Sequence, residues 1–323
     1  MEIWTLIYLL LCISLYTIFG GADFGGGLLE WTMKDRPHLQ KKLQNTLAPI
    51  WEVNHVWLIA VIVILFVGMP KAYTALMTES FYPIYLVLLG IVLRGSFFTL
   101  RKYDPDPGAF LPFYHALFRI SSIIPPIGFG MIVANMISPH TLRQNTSEHM
   151  IFQIMVALFI MALFTYLASV LFMGELKQKE DQLYIKRKIY LFFLITFLSG
   201  LIVLGWGHIS GRVSLTQAFH PIQVTVQIVA TSCVYGIWKA LQHNINWLVR
   251  LLAGIQVSAI LCGWFAAQYP VIIHHAHQSV LIDEVFAPSH ILRAMNILFT
   301  IAFCLILPAL VYLFKVFHQS TEL

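Results

Sequence analysis

Long stretches without a charged residue recur along the chain, and they constrain its fold more than any other feature. Eight of them hold no Asp, Glu, Lys or Arg over at least 18 residues. A single α-helix of roughly 20 apolar residues crosses a bilayer. The eight stretches are residues 3–22, 53–70, 120–142, 149–174, 189–211, 213–238, 251–282 and 294–314. A ninth, 81–93, reaches full length when it is extended through Arg94 to Leu100, with the arginine stem lying along the apolar surface.

The pattern predicts an all-α integral membrane protein with nine transmembrane helices in a single membrane domain, residues 1–323. The expected helices are roughly 3–24, 49–69, 79–100, 116–138, 149–174, 188–207, 220–241, 247–270 and 289–316. The longest loops, 25–47 and 274–290, are too short for a separate soluble domain. The charged loop 174–188 divides the chain into two four-helix groups plus one peripheral helix.

Composition and charge agree with a membrane location. The chain is 59% hydrophobic and 11% charged, against about 25% charged for a soluble domain. Of its 20 Lys and Arg residues, 16 fall on one side of the nine predicted spans. Because basic loops stay in the cytoplasm, we expect the N-terminus outside and the C-terminus inside. The net charge of +5 therefore reflects topology, and no nucleic-acid-binding patch is evident.

Two carboxylates are placed at the inner ends of adjacent predicted helices. Asp23 stands among five glycines in "TIFGGADFGGGLLEW", and Glu52 stands in "APIWEVNHVWLI". Acidic residues inside membrane segments are rare and usually serve proton or ion pathways. Gly21 and Gly25, four residues apart, would let another helix approach closely and shield Asp23 from lipid. The sequence therefore predicts one lipid-excluded acidic site at the cytoplasmic side.

Alternatives remain open for these charges. Glu52 follows Pro49 at a predicted helix start, where proline and an acidic residue in the first turn are ordinary. Arg94 and Arg119 lie at inner helix ends, where they either anchor the helices at the interface or balance Asp23 and Glu52.

Haem and metal ligands are sparse. Histidines fall at span ends or in loops, so an axial pair holding a haem at the membrane centre is not encoded. The cluster "HHAH" at 274–277 is interpreted as a group of surface histidines, and no metal site is predicted. The four cysteines form no CxxC motif and are interpreted as small buried hydrophobic residues.

Four motifs in order, "GGADFGGGLL", "APIWEVNHVWLI", "LRGSFF" and "IIPPIGFGMIVANMI", resemble subunit II of the cytochrome bd family of terminal quinol oxidases. The resemblance implies a heterodimer in the bacterial cytoplasmic membrane with a subunit I that carries haems b and d and the quinol site. It implies reduction of O2 to water with protons from the cytoplasm, and no cofactor bound by this chain.

Two positions depart from the family pattern. Family members commonly read D-G-F-D where this chain has Gly20, Gly21, Ala22 and Asp23, and Asp where it has Glu52. The sequence looks like the Bacillus-like, cyanide-insensitive branch. Which quinone serves the complex, and whether a small accessory subunit or a structural lipid joins it, is left open.

The resulting hypothesis is that Glu52 and Asp23 form the cytoplasmic mouth of a proton path that leads towards the partner's haems. His55 and Asn54, further along the second helix, are the candidate relays. The alternative is a proton-coupled secondary transporter that uses the same acids and has a substrate site at the midplane, where Gln227, Gln256 and Ser258 are the polar residues on offer. A scaffold without a proton role would require both acids to be structural.

Overall fold

A computed structural model describes residues 1–104, 108–143, 146–213, 221–275 and 278–320. Within these residues nine helices are long and apolar enough to cross a membrane, which confirms the predicted all-α membrane fold. The helices are α1 (Glu2–Trp31), α2 (Pro37–Val63), α3 (Pro70–Glu79), α4 (Phe81–Tyr103), α5 (Leu111–Ser121), α6 (Ile124–Ile137), α7 (His140–Arg143), α8 (Thr146–Met173), α9 (Lys179–Ile209), α10 (Pro221–Gln242), α11 (Asn246–Gln268) and α12 (Ser289–Ser320).

The first two helices are longer than their apolar runs. The first was expected to end near residue 24 but continues to Trp31, and the second begins at Pro37 rather than at residue 49. Pro37 occupies the first turn of α2, where proline is favoured because its missing N–H is not needed there. Pro49 lies inside α2, so the interpretation of Glu52 as a helix-start residue is wrong.

The fourth span is built from two helices. α5 ends at Ser121 and α6 begins at Ile124, with prolines 125 and 126 in the first turn of α6. Gly90 of α4 lies against the break, where an added Cβ would come within 2.6 Å of the Pro125 ring. The interruption therefore lies where α4 packs closely at Gly90. Next to it, the hydroxyls of Ser121 and Ser122 both donate to the carbonyl of Phe118.

Helix packing places α1 and α8 at the centre of the molecule. α1 packs on α2, α5 and α8, and α4 packs on α5 and α6. α8 also packs on α9 and α11, and α10 packs on α11. α12 contacts α1, α2 and a π-helical turn (Ile64–Gly68) that continues α2. The two ends of the bundle are called the Met1 end and the Trp31 end, after the residues at the start and the end of α1.

The predicted loop 274–290 contains secondary structure. Strands β1 (Val271–His275) and β2 (Gln278–Leu281) pair antiparallel at the Met1 end, with Val271 opposite Leu281. The backbone N–H of Ala287 donates to the carbonyl of Gly68 and so ties the segment after the hairpin to the end of the second span. His277 lies outside the described residues, as do the side chains of His274 and His275.

Candidate functional site

The glycine-rich part of α1 packs directly on α8. A Cβ at Gly25 would lie 1.9 Å from the carbonyl oxygen of Phe164, and one at Gly21 would lie 2.7 Å from its ring. Because any side chain at Gly25 would collide with backbone, glycine is required for this approach. The predicted packing face at Gly21 and Gly25 thus contacts α8, and it leaves Asp23 fully buried.

Asp23 forms a buried ion pair with Arg94 of α4. The Nη1 of Arg94 donates to Oδ2 of Asp23 at 2.7 Å, and its Nη2 donates to the backbone carbonyl of Asp23 at 2.6 Å. Both side chains are 1% exposed. Taking such charges out of water is costly unless they are paired and hydrogen-bonded. The arginine thus supplies both the opposite charge and the donors that a lipid-excluded carboxylate needs.

Two further side chains complete the surroundings of this pair. Nδ2 of Asn54 on α2 donates to Oδ2 of Asp23 at 3.2 Å. Nε of Arg94 donates to Oγ of Ser122, just after α5, at 3.1 Å. The site therefore joins residues from the first four spans and fixes their relative rotation.

A second buried ion pair lies two helical turns closer to the Trp31 end. Nη1 of Arg101 donates to Oε2 of Glu30 at 2.8 Å, and both side chains are 1% exposed. In each pair 71 residues separate the acid from the arginine. Because α1 and α4 are the first and third spans, they run in the same direction, and residues seven apart on one helix match residues seven apart on the other.

One aromatic ring contacts both guanidinium groups. The Phe118 ring centroid lies 4.7 Å from the Cζ of Arg94 and 3.5 Å from the Cζ of Arg101. Cations over an aromatic face are attracted by its quadrupole, most strongly when they are desolvated. His115, one turn earlier on α5, brings its Nδ1 to 3.7 Å from Oε1 of Glu30. α5 thus lines both pairs with one face.

Two candidate residues make their described contacts away from the Asp23–Arg94 pair. The ring of His55 is hydrogen-bonded through Nδ1 to the carbonyl of Trp51 at 2.9 Å. Since a carbonyl only accepts, Nδ1 carries the proton, which leaves Nε2 of a neutral ring as an acceptor. Nε of Arg119 donates to the carbonyl of His115, and its guanidinium lies 6.0 Å from the Trp31 ring. The charge beside Asp23 therefore comes from Arg94.

Glu52 lies on α2, two residues before Asn54, and its side chain is outside the part that the structure describes. Its backbone is helical and belongs to the same helix that brings Asn54 to Asp23. The helix therefore carries the glutamate backbone to the neighbourhood of the acidic site.

Several buried polar atoms on α1 and α2 have no hydrogen-bond partner in the described residues. They are Oδ1 of Asp23, Oδ1 of Asn54, the Tyr16 hydroxyl and Nε1 of Trp57. Gly20 lies between two of these residues, since a Cβ there would come within 3.0 Å of Asn54 Oδ1 and of the Tyr16 ring. Buried polar groups are normally satisfied by protein or water. The seam between α1 and α2 therefore holds unpartnered polar atoms within an otherwise apolar core on the Met1 side of Asp23.

Sequence reasoning missed Glu30, Arg101 and His115. The charge-free run ends at residue 22, so the sequence alone predicts that the first helix ends near residue 24 and that Glu30 lies in a loop. The available signal was the repeat of seven residues on both helices, Asp23 to Glu30 and Arg94 to Arg101. No group of three or more His, Cys, Asp or Glu side chains able to hold a metal ion occurs within the described ranges.

Comparisons with known proteins agree on one family. Residues 1–317 match the family model described as cytochrome bd terminal oxidase subunit II. The chain is 25% identical over 131 residues to cytochrome bd ubiquinol oxidase subunit 2 of Bacillus subtilis, covering 41% of this chain and 38% of that protein. It is 27% identical over 135 residues to cytochrome bd-I ubiquinol oxidase subunit 2 of Escherichia coli K12, covering 42% of this chain and 35% of that one.

A solved structure shares the fold across nearly the whole chain. The bd oxidase from Geobacillus thermodenitrificans superposes with a TM-score of 0.79 at 16% identity, covering 98% of both chains. The nine-span arrangement is therefore shared with that structure, whereas the sequence matches to the curated relatives extend over well under half of their lengths.

Proposed function

The chain belongs to the cytochrome bd terminal oxidase subunit II family, and from that premise we propose that it is the haem-free subunit of a quinol:O2 oxidoreductase in a bacterial cytoplasmic membrane. Its partner would be a subunit I that carries haems b and d and oxidises quinol. When bound there, those haems supply the electron transfer and O2 reduction. This chain stabilises subunit I and supplies part of the cytoplasmic proton path.

The observation that carries the proton-path proposal is the buried Asp23–Arg94 pair and its link to α2 through Asn54. Oδ2 of Asp23 accepts from Nη1 of Arg94 and from Nδ2 of Asn54, and these two donors hold the carboxyl group in one place. In this proposal Asp23 is the fixed, ion-paired acid of the site. Glu52, two residues before Asn54, is the group that takes up and releases the proton.

The polar atoms along the seam between α1 and α2 support a route onward from Glu52. Oδ1 of Asp23 and Oδ1 of Asn54 each offer lone pairs to a proton-carrying water. The Nε2 of His55 is free to accept, given the bond that its Nδ1 makes. Asn54 and His55 are the relays in this proposal, and the protons are handed to the partner subunit.

The transporter alternative has no supporting observation. Of the midplane residues that a transporter would need, Gln256 is buried, and the Tyr166 hydroxyl donates to its Oε1 at 3.4 Å. The proposed role in an oxidase is therefore the one that the family and the acidic site support best.

Substitution of Glu52 tests the proton role. Glu52→Gln removes the titrating group and keeps the shape, so quinol-dependent O2 consumption by the assembled complex should fall at least about tenfold, as for loss of a positioned acid–base group. Glu52→Asp should retain much of the rate. Glu148→Gln, an exposed acid at the start of α8, is the matched control and should leave the rate unchanged.

Haem content and subunit ratio should remain normal in all three variants. A Glu52→Gln complex with full O2 consumption across pH 6–8 would reject the proton path and leave the subunit assignment intact.

A further inference from the structure

A second polar cluster lies at the Met1 end, away from the acidic site. Nδ2 of Asn135 on α6 donates to the carbonyl of Glu79 at 3.0 Å and to Oγ of Ser80 at 3.2 Å. Its Oδ1 accepts from Nε2 of Gln153 and is hydrogen-bonded to Nε2 of His149, each at 2.9 Å. Asn135 thus joins the α3–α4 connection to α6 and α8.

An ion pair completes this cluster. Nη1 of Arg143 on α7 lies 2.5 Å from Oε2 of Glu79, and its Nε donates to the carbonyl of Ser138 at 3.0 Å. Unlike Asp23 and Arg94, these two side chains keep part of their surface, 10% for Arg143 and 14% for Glu79. A carboxylate and a guanidinium are therefore presented side by side.

These side chains line an open groove, which we call the Asn135 groove. Its volume is about 460 Å³. The lining residues are Glu79, Tyr82, Pro83, Met131, Asn135, Arg143, His149 and Gln153.

The groove is polar at the membrane surface and apolar further in. Met131 lies six residues before the end of α6, which places it ~9 Å deeper than Ile137 at 1.5 Å per residue. Tyr82, in the first turn of α4, is 79% exposed on the outside of the helix bundle. An amphiphile with a polar head and an apolar body matches this gradient.

The charges of Glu79 and Arg143 determine which lipid headgroup the groove can bind. An anionic headgroup would meet the Glu79 carboxylate, and a neutral one would use neither member of the ion pair. A zwitterion can place its phosphate on Arg143 and its ammonium on Glu79, and each contact is a charge-assisted hydrogen bond. A quaternary ammonium has no N–H to donate, whereas a primary ammonium has three and is the strongest donor for Glu79.

We propose that the Asn135 groove binds a phospholipid whose headgroup carries a phosphate and a primary amine, as in phosphatidylethanolamine. Gln153 and His149 line the phosphate side, and Met131 with Pro83 borders the start of the acyl region. The site lies at the opposite end of the bundle from Asp23, and the proposal does not depend on the proton path.

Lipid retention by the purified complex tests this site. The complex is placed in nanodiscs that contain equal parts of phosphatidylethanolamine, phosphatidylcholine and phosphatidylglycerol, and the lipids retained are measured by native mass spectrometry. We expect phosphatidylethanolamine to be retained about tenfold over the other two, as for one charge-assisted contact. Glu79→Gln should remove this preference, whereas Glu148→Gln, an exposed acid at the same end, should keep it.

A second variant covers the case in which loss of Glu79 disturbs folding. Met131→Trp fills the groove and leaves both members of the Glu79–Arg143 pair in the chain, and it should abolish retention of phosphatidylethanolamine at normal haem content. Equal retention of the three lipids by the unmodified complex, unchanged preference in Met131→Trp, or a quinone found in place of the lipid would each overturn the proposal.

Discussion

Arg94 binds Asp23 at two points, its carboxylate at 2.7 Å and its backbone carbonyl at 2.6 Å. The first contact neutralises a charge in a lipid-excluded place, and the second attaches α4 to the backbone of α1. A lysine would donate from a single nitrogen, because its ammonium lacks the planar fork of an arginine, whose two Nη atoms reach the two oxygens here. The pair therefore holds α1 and α4 together and also supplies the hydrogen-bond donors that the buried Asp23 needs.

Removal of the arginine should be more harmful than removal of both partners. In Arg94→Gln the Asp23 carboxylate stays buried without its cation, which should cost about 3–5 kcal/mol. We expect low yield and early thermal loss of the assembled complex. The double variant Asp23→Asn, Arg94→Gln leaves no unpaired charge at this site, so it should recover part of the yield and part of the thermal stability.

Arg119→Gln is the control for this prediction. Arg119 lies two residues before the end of α5, and its described contacts are the His115 carbonyl and the Trp31 ring. It should behave like the unmodified protein in thermal inactivation. Equal yields for Arg94→Gln and Arg119→Gln would show that the buried pair contributes little.

Gly25→Ala should separate α1 from α8. The added Cβ would lie 1.9 Å from the Phe164 carbonyl oxygen, so backbone must move, and overpacking of this kind costs about 1–3 kcal/mol or more. Gly205→Ala is the matched control, since nothing lies within 4 Å of its Cβ position. Thermal inactivation of the two complexes should differ by several degrees, and identical midpoints would contradict the packing argument.

The predicted orientation can be read with single cysteines. In a background where the exposed Cys262 and Cys304 are replaced by Ala, we introduce Glu284→Cys at the Met1 end and Glu180→Cys at the Trp31 end. A membrane-impermeant thiol reagent applied to intact cells should label the first and spare the second. The reverse pattern would place Asp23 and Glu52 at the outer surface.

The chain expressed without a partner should show no haem absorption. The basis is the position of its histidines, such as His149, which lies at the start of α8 and is bonded to Asn135. Co-expression with the haem-bearing subunit should restore the spectrum in the purified complex. A stoichiometric haem spectrum from the isolated chain would reject the assignment of the haems to the partner.

The number of spans could be predicted because charge-free runs of membrane length are set by the bilayer itself. The helix ends could not, because a helix continues beyond the apolar segment wherever tertiary contacts stabilise it. Glu30 shows this, since it lies beyond the apolar run and is buried in α1 against Arg101.

The choice between Arg94 and Arg119 as the partner of Asp23 also lay beyond the sequence. Both arginines were expected at inner helix ends, but α4 continues nine residues beyond Arg94 and the fourth span begins eight residues before Arg119. Spacing along the chain does not say which way a helix is rotated against its neighbours. The rotation follows from close contacts such as Gly25 on Phe164 and Gly90 on Pro125, which depend on pairs of residues far apart in the chain.

The separation of 71 residues between Asp23 and Arg94 has a consequence for biosynthesis. At roughly 5–20 residues per second, the ribosome makes the arginine about 4 to 14 seconds after the aspartate. During that interval the arginine that pairs with Asp23 in the folded chain has not been made. The first two spans therefore cannot complete the acidic site by themselves, and Asp23 gains its partner only when the third span arrives.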